Sequence, residues 1–201
     1  MSDIDRWVIG ESLRLLMEQD RCGREVLISI NLSGQSLGEE HFLDYVLTKL
    51  DRIGACATQV CFEITETVAV NNLSIALKFI EAIKHYGCKF SLDDFGAGVS
   101  SFGYLKNLPV DYVKIDGVFI RAIHNNEVDQ AMVKAIAEVS GVMGIKTVAE
   151  FVENKESFDL LKEIGIDFAQ GYWIEKPKPV SECFGIGEPS NGCFLSVVTN
   201  N

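Results

Sequence analysis

The sequence lacks the long apolar run that a membrane-spanning helix needs. No stretch approaches the roughly 20 apolar residues that cross a bilayer, and Ser2 to Arg6 are polar, unlike a signal peptide. Basic residues are also scarce, with 18 Lys and Arg against 29 Asp and Glu and a net charge of −11. Because Lys and Arg supply most sequence-independent affinity for nucleic acid, we expect a soluble cytoplasmic protein that neither inserts into a membrane nor binds a nucleic-acid polymer.

Several local signatures are missing as well. The six cysteines form no C-x-x-C pair and have no histidine at zinc-ligand spacing, so we predict mostly buried, reduced thiols. Asp94-Phe95-Gly96 matches the magnesium-binding tripeptide of protein kinases, but no H-R-D sequence accompanies it. The glycines near Gly96 do not complete a dinucleotide fingerprint. We expect surface or packing positions for the histidines, which are His41, His85 and His124.

The sequence does contain a regular alternation of apolar β-type runs with helical patterns. Apolar residues at helical spacing predict helices from about Asp3 and over Glu39–Asp51, Leu73–Tyr86, Val128–Met143 and Lys155–Ile164. This alternation is typical of βαβ units with a parallel sheet. Ser2 and Asp5 are spaced like a capping box at the start of the first helix. A chain of 201 residues is long enough for one such compact domain.

Six predicted strands end at a polar residue that could bind a metal ion or move a proton. In a (β/α) barrel the carboxyl ends of the strands meet at one face. We therefore predict an α/β fold, a (β/α) barrel of TIM type, with these residues around one cavity. The runs are Val26–Ile30 before Asn31, Val60–Phe62 before Glu63, Phe90–Leu92 before Asp93-Asp94, Tyr112–Val113 before Lys114, Thr147–Ala149 before Glu150, and Asp167–Ala169 before Gln170.

Asp93-Asp94 is the strongest local signal among these strand ends. Adjacent carboxylates can share two divalent ions, and oxygen ligands favour Mg²⁺ or Mn²⁺. Lys114 could neutralise charge on a phosphate or orient water, and Glu150 could bind a metal or accept a proton. Further hard oxygen ligands would come from Asn31 and Glu63. An alternative interpretation is that the Asp-Asp pair only caps the following turn.

Two segments depart from the alternation. Between Asp94 and Pro109, three glycines and two serines lie close together, which predicts a mobile loop that could act as a lid. From about Gly185 the helical periodicity is lost and Gly, Pro, Ser and Asn are frequent. We therefore predict a barrel domain over residues 1–184 and an irregular tail over residues 185–201.

Several short motifs, in order, make the chain resemble the EAL family of bacterial cyclic di-GMP phosphodiesterases. They span most of residues 1–180 and are Ser29-Ile30-Asn31-Leu32-Ser33, Phe62-Glu63-Ile64-Thr65-Glu66, Asp93-Asp94-Phe95-Gly96, Leu108-Pro109-Val110-Asp111, Val113-Lys114-Ile115-Asp116, Val148-Ala149-Glu150-Phe151-Val152-Glu153 and Gln170-Gly171-Tyr172. The resemblance implies a modified TIM-type (β/α) barrel. It also implies a second-messenger signalling enzyme that hydrolyses one phosphodiester of cyclic di-GMP to linear pGpG with two Mg²⁺ or Mn²⁺ ions.

The resemblance also implies a role for each matching residue. The implied metal ligands are Asn31, Glu63, Asp93, Asp94 and Glu150. The implied catalytic residues are Lys114, which would position or activate water, with Glu150 and Gln170. The implied supporting residues are Glu66, which would brace the loop after Asp94, with Asp116 and Glu153. The implied loop or lid, which in this family takes part in homodimer contacts, contains Phe95, Gly96, Ala97, Gly98, Ser100 and Ser101.

The chain departs from the family pattern at one important place. The Glu-Ala-Leu tripeptide is absent, and in the family its glutamate binds the first metal. The implied barrel would lack its first two strands, so we expect an N-terminally incomplete domain, with Met1 internal to a longer protein. Loss of one carboxylate should weaken metal binding. Smaller differences are Ala97 and Val99 in place of a more frequent Thr and Tyr, and Phe151 in place of a frequent Gly.

Two functions follow from these observations. One is a cyclic di-GMP phosphodiesterase in the parent protein, with little or no turnover from this chain alone; the retained ligands favour it. The other is a non-catalytic cyclic di-GMP receptor or a regulatory protein-interaction module, which the missing glutamate favours. A receptor has no physical need for every catalytic ligand, so the enzyme is the preferred interpretation.

Overall fold

The computed structural model describes residues 2–21, 23–24, 26–97, 102–183 and 194–197. Its α-helices are α1 Ser2–Arg21, α2 Gly34–Leu37, α3 Phe42–Ile53, α4 Glu66–Asn71, α5 Leu73–Lys84, α6 Phe102–Leu105, α7 Gly117–Ile120, α8 Glu127–Val142, α9 Lys155–Ile164 and α10 Val180–Cys183. Short 3-10 helices occupy Gly54–Gln59 and Ile123–Asn125. None of the helices described combines the length and apolar character needed to traverse a bilayer.

The strands are β1 Leu27–Asn31, β2 Val60–Thr65, β3 Lys89–Phe95, β4 Tyr112–Ile115, β5 Lys146–Ala149, β6 Phe168–Ala169 and β7 Phe194–Val197. Each of the six predicted strands corresponds to one of β1 to β6, and the five predicted helices correspond to α1, α3, α5, α8 and α9. The α/β class is therefore confirmed. Local signals explain the precise ends of α9, because Asn154 Oδ1 accepts a hydrogen bond from Ser157 N at 2.8 Å and Gly165 follows with φ 93°.

One compact unit consists of Met1–Ile64, Val68–Phe90 and Ser181–Asn201. In this unit β1 pairs in parallel with both β2 and β7. The ring of Phe42 stacks on Phe79 at 6.2 Å between centroids, and Phe62 meets Phe79 edge-on at 5.9 Å. All three rings are buried. This packing joins α3 and α5 to β2 and so supports the strand that ends near Glu63.

The other compact unit consists of Thr65–Thr67 and Ser91–Val180. It contains most of β3, which pairs in parallel with β4, and continues through β5 to β6. Val113 and Ile115 of β4 are fully buried, as are Leu92 and Ala149 of its neighbours β3 and β5. These small and branched apolar side chains fit a strand covered on both faces. The polar residues at the carboxyl ends of β3 to β6 follow directly after this core.

Three sequence predictions need correction. The predicted irregular tail contains β7, which pairs with β1 from Leu27↔Phe194 to Ile30↔Val197; the remaining tail residues lie outside the described part of the chain. Ser2 and Asp5 do not form a capping box, because the Asp5 carboxylate accepts a hydrogen bond from Ser33 N instead. Phe95 is the buried last residue of β3 and not a residue of the loop.

The cysteines and the loop after β3 are described only in part. Cys61 and Cys88 are buried, and burial raises the pKa of the Cys88 thiol to about 12, while Cys56 and Cys183 are half-buried. The other two cysteines, at 22 and 193, lie outside the described residues. The predicted lid residues Gly98, Ser100 and Ser101 do so too.

Candidate functional site

Four side chains at the ends of β3, β4 and β5 form a compact polar cluster in the second unit. Carboxylate oxygens of Asp93, Asp94 and Glu150 lie within 4.8 Å of one another. Lys114 Nζ lies 3.0 Å from Asp93 Oδ1 and 2.8 Å from Glu150 Oε1. The Lys114 and Glu150 side chains are only 6% and 10% exposed. Three carboxylates and one ammonium group are thus concentrated at one place, and water screens the buried pair of Lys114 and Glu150 only weakly.

A bulge in β3 explains how two consecutive aspartates reach the same cluster. Neighbouring side chains in a regular strand point to opposite faces. Here the register with β4 shifts, because Leu92 pairs with Val113 but Phe95 pairs with Ile115, which leaves one extra residue in β3. Asp94 has a positive φ of 54°, and its N–H donates to Asp93 Oδ1 at 3.1 Å. The bulge interrupts the alternation and allows both carboxylates to approach Glu150.

The electrostatic surroundings of Asp94 are unfavourable to its charged form. Burial raises the pKa of Asp94 above its ordinary value, and repulsion from Asp93 and Asp116 raises it further, while Lys114 lowers it only in part. Asp116 itself is held at the start of α7, where its Oδ1 accepts a hydrogen bond from Val118 N at 2.6 Å. A cation bound nearby would therefore stabilise the charged form of Asp94.

The cluster has the composition of a site for a hard divalent cation. Asp93, Asp94 and Glu150 offer only carboxylate oxygens, which suit Mg²⁺ and Mn²⁺ better than softer metals. The three ligand atoms are close enough together to contact a common ion, and they carry more negative charge than Lys114 balances. The residues present therefore fit a magnesium or manganese site.

Asn31 and Glu63 form a second pair of predicted ligands in the first unit. They end the paired stretch of β1 and β2, where their Cα atoms are in register. The chain after Asn31 is fixed to β2, because Leu32 N donates to Glu63 O at 2.8 Å. Glu63 is buried with 3% exposure, and Asn31 is half-buried. The structure thus places an amide and a carboxylate side by side at neighbouring strand ends of this unit.

Gln170 and Glu153 follow β6 and β5 but have different surroundings. Gln170 N donates to Ala149 O at 2.8 Å, and Gln170 O accepts from Val152 N at 3.0 Å. These two bonds hold the backbone of Gln170 beside the residues that flank Glu150. Glu153 is exposed and forms a surface ion pair, with its Oε1 3.0 Å from Arg121 Nη1.

Comparison with known families decides what kind of domain carries this cluster. A family model described as "EAL domain" matches residues 1–177. The chain belongs to the EAL domain family. It is 46% identical over 181 residues to the cyclic di-GMP phosphodiesterase PdeB of Shewanella oneidensis, which covers 90% of this chain and 21% of that protein. It is 36% identical over 178 residues to PdeA of Borreliella burgdorferi, also a cyclic di-GMP phosphodiesterase, covering 89% of this chain and 27% of that protein.

Solved EAL structures share the fold. The EAL domain of Mycobacterium smegmatis DcpA superimposes with a TM-score of 0.84 and 30% identity, covering 90% of this chain and 82% of that one. The structure of the PaMucR phosphodiesterase in complex with c-di-GMP gives a TM-score of 0.83 at 31% identity, covering 90% of this chain and 74% of that one. These matches confirm the predicted fold of TIM-barrel type. The chain spans only about a fifth to a quarter of the two curated relatives.

In this EAL domain the buried Glu66 is tied to the segment that follows β3. Glu66 is 2% exposed, and its Oε2 accepts a hydrogen bond from Gly96 N at 2.9 Å. Its Oε1 accepts one from the hydroxyl of Tyr104, whose pKa is raised by burial and by the neighbouring carboxylate. Sequence reasoning named Glu66 and Gly96 but missed Tyr104, because a single tyrosine 38 positions away carries no local signal.

Phe151, directly after Glu150, occupies a backbone conformation that favours glycine. Its φ is 53°, a region of backbone conformation that glycine adopts without strain and that residues with a side chain rarely adopt. The Arg121 guanidinium carbon lies 4.1 Å from the centroid of the Phe151 ring. The ring also covers Gly117, where an added Cβ would lie 2.4 Å from Phe151 Cδ2. These contacts hold a strained phenylalanine beside the acidic cluster.

Proposed function

We propose that this EAL domain binds cyclic di-GMP through divalent cations and belongs to an enzyme that hydrolyses it to linear pGpG in the bacterial cytoplasm. The observation that carries the proposal is the cluster of Asp93, Asp94, Glu150 and Lys114 in a chain matched by the EAL model over residues 1–177. The relatives named as cyclic di-GMP phosphodiesterases support the choice of cyclic di-GMP as the substrate.

The proposed cations are two Mg²⁺ or Mn²⁺ ions. When bound, such a pair activates water as a nucleophile and stabilises charge on the phosphate. Asp93, Asp94 and Glu150 would hold cations with their clustered oxygens. Asn31 and Glu63 remain predicted ligands, supported by the family resemblance and by their neighbouring positions on β1 and β2.

Lys114 has two proposed tasks in this chemistry. Its ammonium group, 3.0 Å from Asp93 and 2.8 Å from Glu150, offsets their mutual repulsion before substrate binds. It can also donate a hydrogen bond to a water molecule or a phosphate oxygen. Glu150 is suited to hold a proton or a cation at the same place, and Gln170 would support the water from the end of β6.

The absence of the Glu-Ala-Leu tripeptide favours a second candidate, a receptor that binds cyclic di-GMP without hydrolysing it. A missing carboxylate should weaken one of the two cation sites, so we expect little or no turnover from this chain by itself. We also keep the prediction that the loop after Asp94 contributes to a homodimer, which size-exclusion chromatography with light scattering would test.

The experiment is incubation of the purified 201-residue chain with cyclic di-GMP and Mg²⁺ or Mn²⁺, with calorimetry for binding and chromatography for pGpG. We expect binding that needs the cation, with little product. Asp93→Asn should remove any metal-dependent activity and weaken the metal-dependent binding, whereas Asp159→Asn, at an exposed position, should do neither. Rapid formation of pGpG would contradict the low turnover, and failure to bind cyclic di-GMP at all would contradict the proposed function.

A further inference from the structure

A buried carboxylate on α1 contacts the chain just after Asn31. Asp5 lies among the buried residues of α1, at helical spacing from Val8, Ile9 and Ser12, and is only 7% exposed. Its Oδ2 accepts a hydrogen bond from Ser33 N at 2.9 Å, across 28 positions of sequence. A carboxylate on an apolar stripe is costly unless it is paired, so this bond is the evident reason for an acid at this position.

The bond from Asp5 fixes one side of a short turn whose other side is fixed by β2. Leu32 N donates to Glu63 O at 2.8 Å, and Ser33 N donates to Asp5. Ser33 then begins α2, where its side chain accepts a hydrogen bond from Ser36 N at 3.2 Å. The two residues after Asn31 are thus held by two different elements, which leaves the backbone of Asn31 little freedom.

The neighbouring residue Arg6 strengthens the same attachment at the far end of α2. Arg6 Nη2 lies 3.1 Å from Glu39 Oε1, and its guanidinium carbon lies 4.7 Å from the centroid of the Tyr45 ring. Tyr45 in turn donates its hydroxyl hydrogen to Arg6 O at 2.7 Å. Residues of the first turns of α1 therefore contact both ends of the segment from Ser33 to Glu39, which follows Asn31. All of these contacts lie within the first unit.

We infer that Asp5 is a positioning residue for Asn31. By accepting the Ser33 N–H, it holds the turn after β1 and so keeps the Asn31 side chain in place to bind a divalent cation. The inference rests on the proposed function only for the role of Asn31 as a ligand. Residues that orient metal ligands typically change metal affinity by 10–100-fold when removed, even though they do not touch the ion.

The test combines ¹⁵N NMR with Mn²⁺ titration of the full 201-residue chain. Paramagnetic broadening of the Asn31 side-chain amide signal reports Mn²⁺ nearby, and amide exchange at Ser33 reports the hydrogen bond. We expect Asp5→Ala to accelerate exchange at Ser33 and to weaken Mn²⁺ binding at Asn31 by roughly tenfold. Asp5→Asn, whose amide oxygen can accept the same hydrogen bond, should restore affinity to within about threefold of the unaltered chain.

Leu16→Ala is the matched control for a merely structural effect. It removes buried side-chain volume from the same helix, about three turns away from Asp5, so it should lower the melting temperature while leaving Mn²⁺ affinity unchanged. If Asp5→Ala does not fold, Asp5→Leu makes the same comparison, because it keeps side-chain volume on the buried stripe but has no acceptor. Unchanged Mn²⁺ binding in a folded Asp5 variant with fast Ser33 exchange would overturn the inference and leave the proposed function intact. Failure of the unaltered chain to broaden Asn31 would instead contradict Asn31 as a ligand and overturn the inference.

Discussion

Lys114 Nζ lies 2.8 Å from Glu150 Oε1, and both side chains are almost wholly buried. Removing one member of a buried ion pair leaves the other charge without compensation and typically costs about 3–5 kcal/mol. We therefore predict that Lys114→Met lowers the free energy of unfolding by about that amount in the presence of EDTA, measured by urea denaturation. Mn²⁺ should recover part of this loss, because the cation can replace the missing positive charge.

Lys146→Met is the matched control for that experiment. Lys146 also pairs with an aspartate, at 2.6 Å from Asp167 Oδ1, but its side chain is 60% exposed. Exposed ion pairs contribute about 0–1 kcal/mol, so we expect a small loss that Mn²⁺ does not change. Equal losses of unfolding free energy in the two variants would contradict the claim that the buried ion pairs of Lys114 stabilise the fold more than the exposed pair of Lys146.

In the metal-free protein, Asp94 should contribute more to stability at acidic pH than at pH 7. Its pKa is raised in the folded state by burial and by repulsion from Asp93 and Asp116. An acid with a raised pKa contributes stability below its unfolded pKa and loses that contribution as pH rises through the folded value. In EDTA at pH 7, Asp94→Asn should therefore be more stable than the unaltered chain, and the difference should disappear towards pH 4. Denaturation midpoints across this range measure the effect.

Asp167 provides a comparison with the opposite sign. Burial opposes ionisation of Asp167, but hydrogen bonds from Lys146 and Thr147 prevail and lower its pKa. Its stabilising contribution is present above the unfolded pKa and is lost as pH falls through the folded value. Asp167→Asn should consequently be less stable than the unaltered chain at pH 7 and approach it in acid. The same pH trend for Asp94→Asn and Asp167→Asn would contradict the opposite pKa shifts of the two carboxylates.

Tyr104→Phe should destabilise the segment around Gly96. The substitution removes the hydroxyl that donates to the buried Glu66, and a buried acceptor that loses a partner costs about 1–3 kcal/mol. Tyr86→Phe is the control, since its hydroxyl donates to Asp51 at 2.9 Å on the surface, where changes are usually within about 0.5 kcal/mol. Thermal and urea denaturation compare the two variants. A cost no larger for Tyr104→Phe than for Tyr86→Phe would be inconsistent with a bracing contact.

Gly171→Ala should destabilise the end of β6. An added Cβ would lie 2.3 Å from the backbone nitrogen and oxygen of Val152, and such crowding typically costs about 1–3 kcal/mol. Gly141→Ala in α8 should have the opposite effect, because nothing lies within 4 Å of its added Cβ and alanine favours a helix by about 0.5–1 kcal/mol. Urea denaturation of both variants measures the predicted loss of unfolding free energy in Gly171→Ala and the predicted gain in Gly141→Ala. A stable Gly171→Ala would contradict the close approach of the Gly171 and Val152 backbones.

The polar strand ends were predictable because each follows a short apolar run, a pattern that local sequence carries. Convergence at the ends of β3, β4 and β5 then required only the general geometry of parallel strands. The bulge that turns Asp93 and Asp94 towards Glu150 was not predictable, because it depends on the register with β4. The contact of Asp5 with Ser33 and that of Glu66 with Tyr104 were also missed, since both are hydrogen bonds over long sequence separations.

The strand β7 was missed for a related reason. Its residues, Phe194–Val197, lie in a segment rich in Gly, Ser and Asn, and their strand conformation depends on pairing with β1. Local propensity therefore predicted an irregular tail, whereas the tertiary contact determines the structure.

Titration of the chain with Mn²⁺ by isothermal calorimetry tests most directly whether Asp93, Asp94 and Glu150 form a cation site. We predict saturable binding, and we expect Asp93→Asn and Glu150→Gln each to weaken it by roughly tenfold or more. Removing only a residue that orients a metal ligand already costs roughly tenfold in metal affinity. Asp159→Asn, in the exposed ion pair with Lys155, should bind like the unaltered chain. No saturable binding, or equal affinity in all four proteins, would contradict the account.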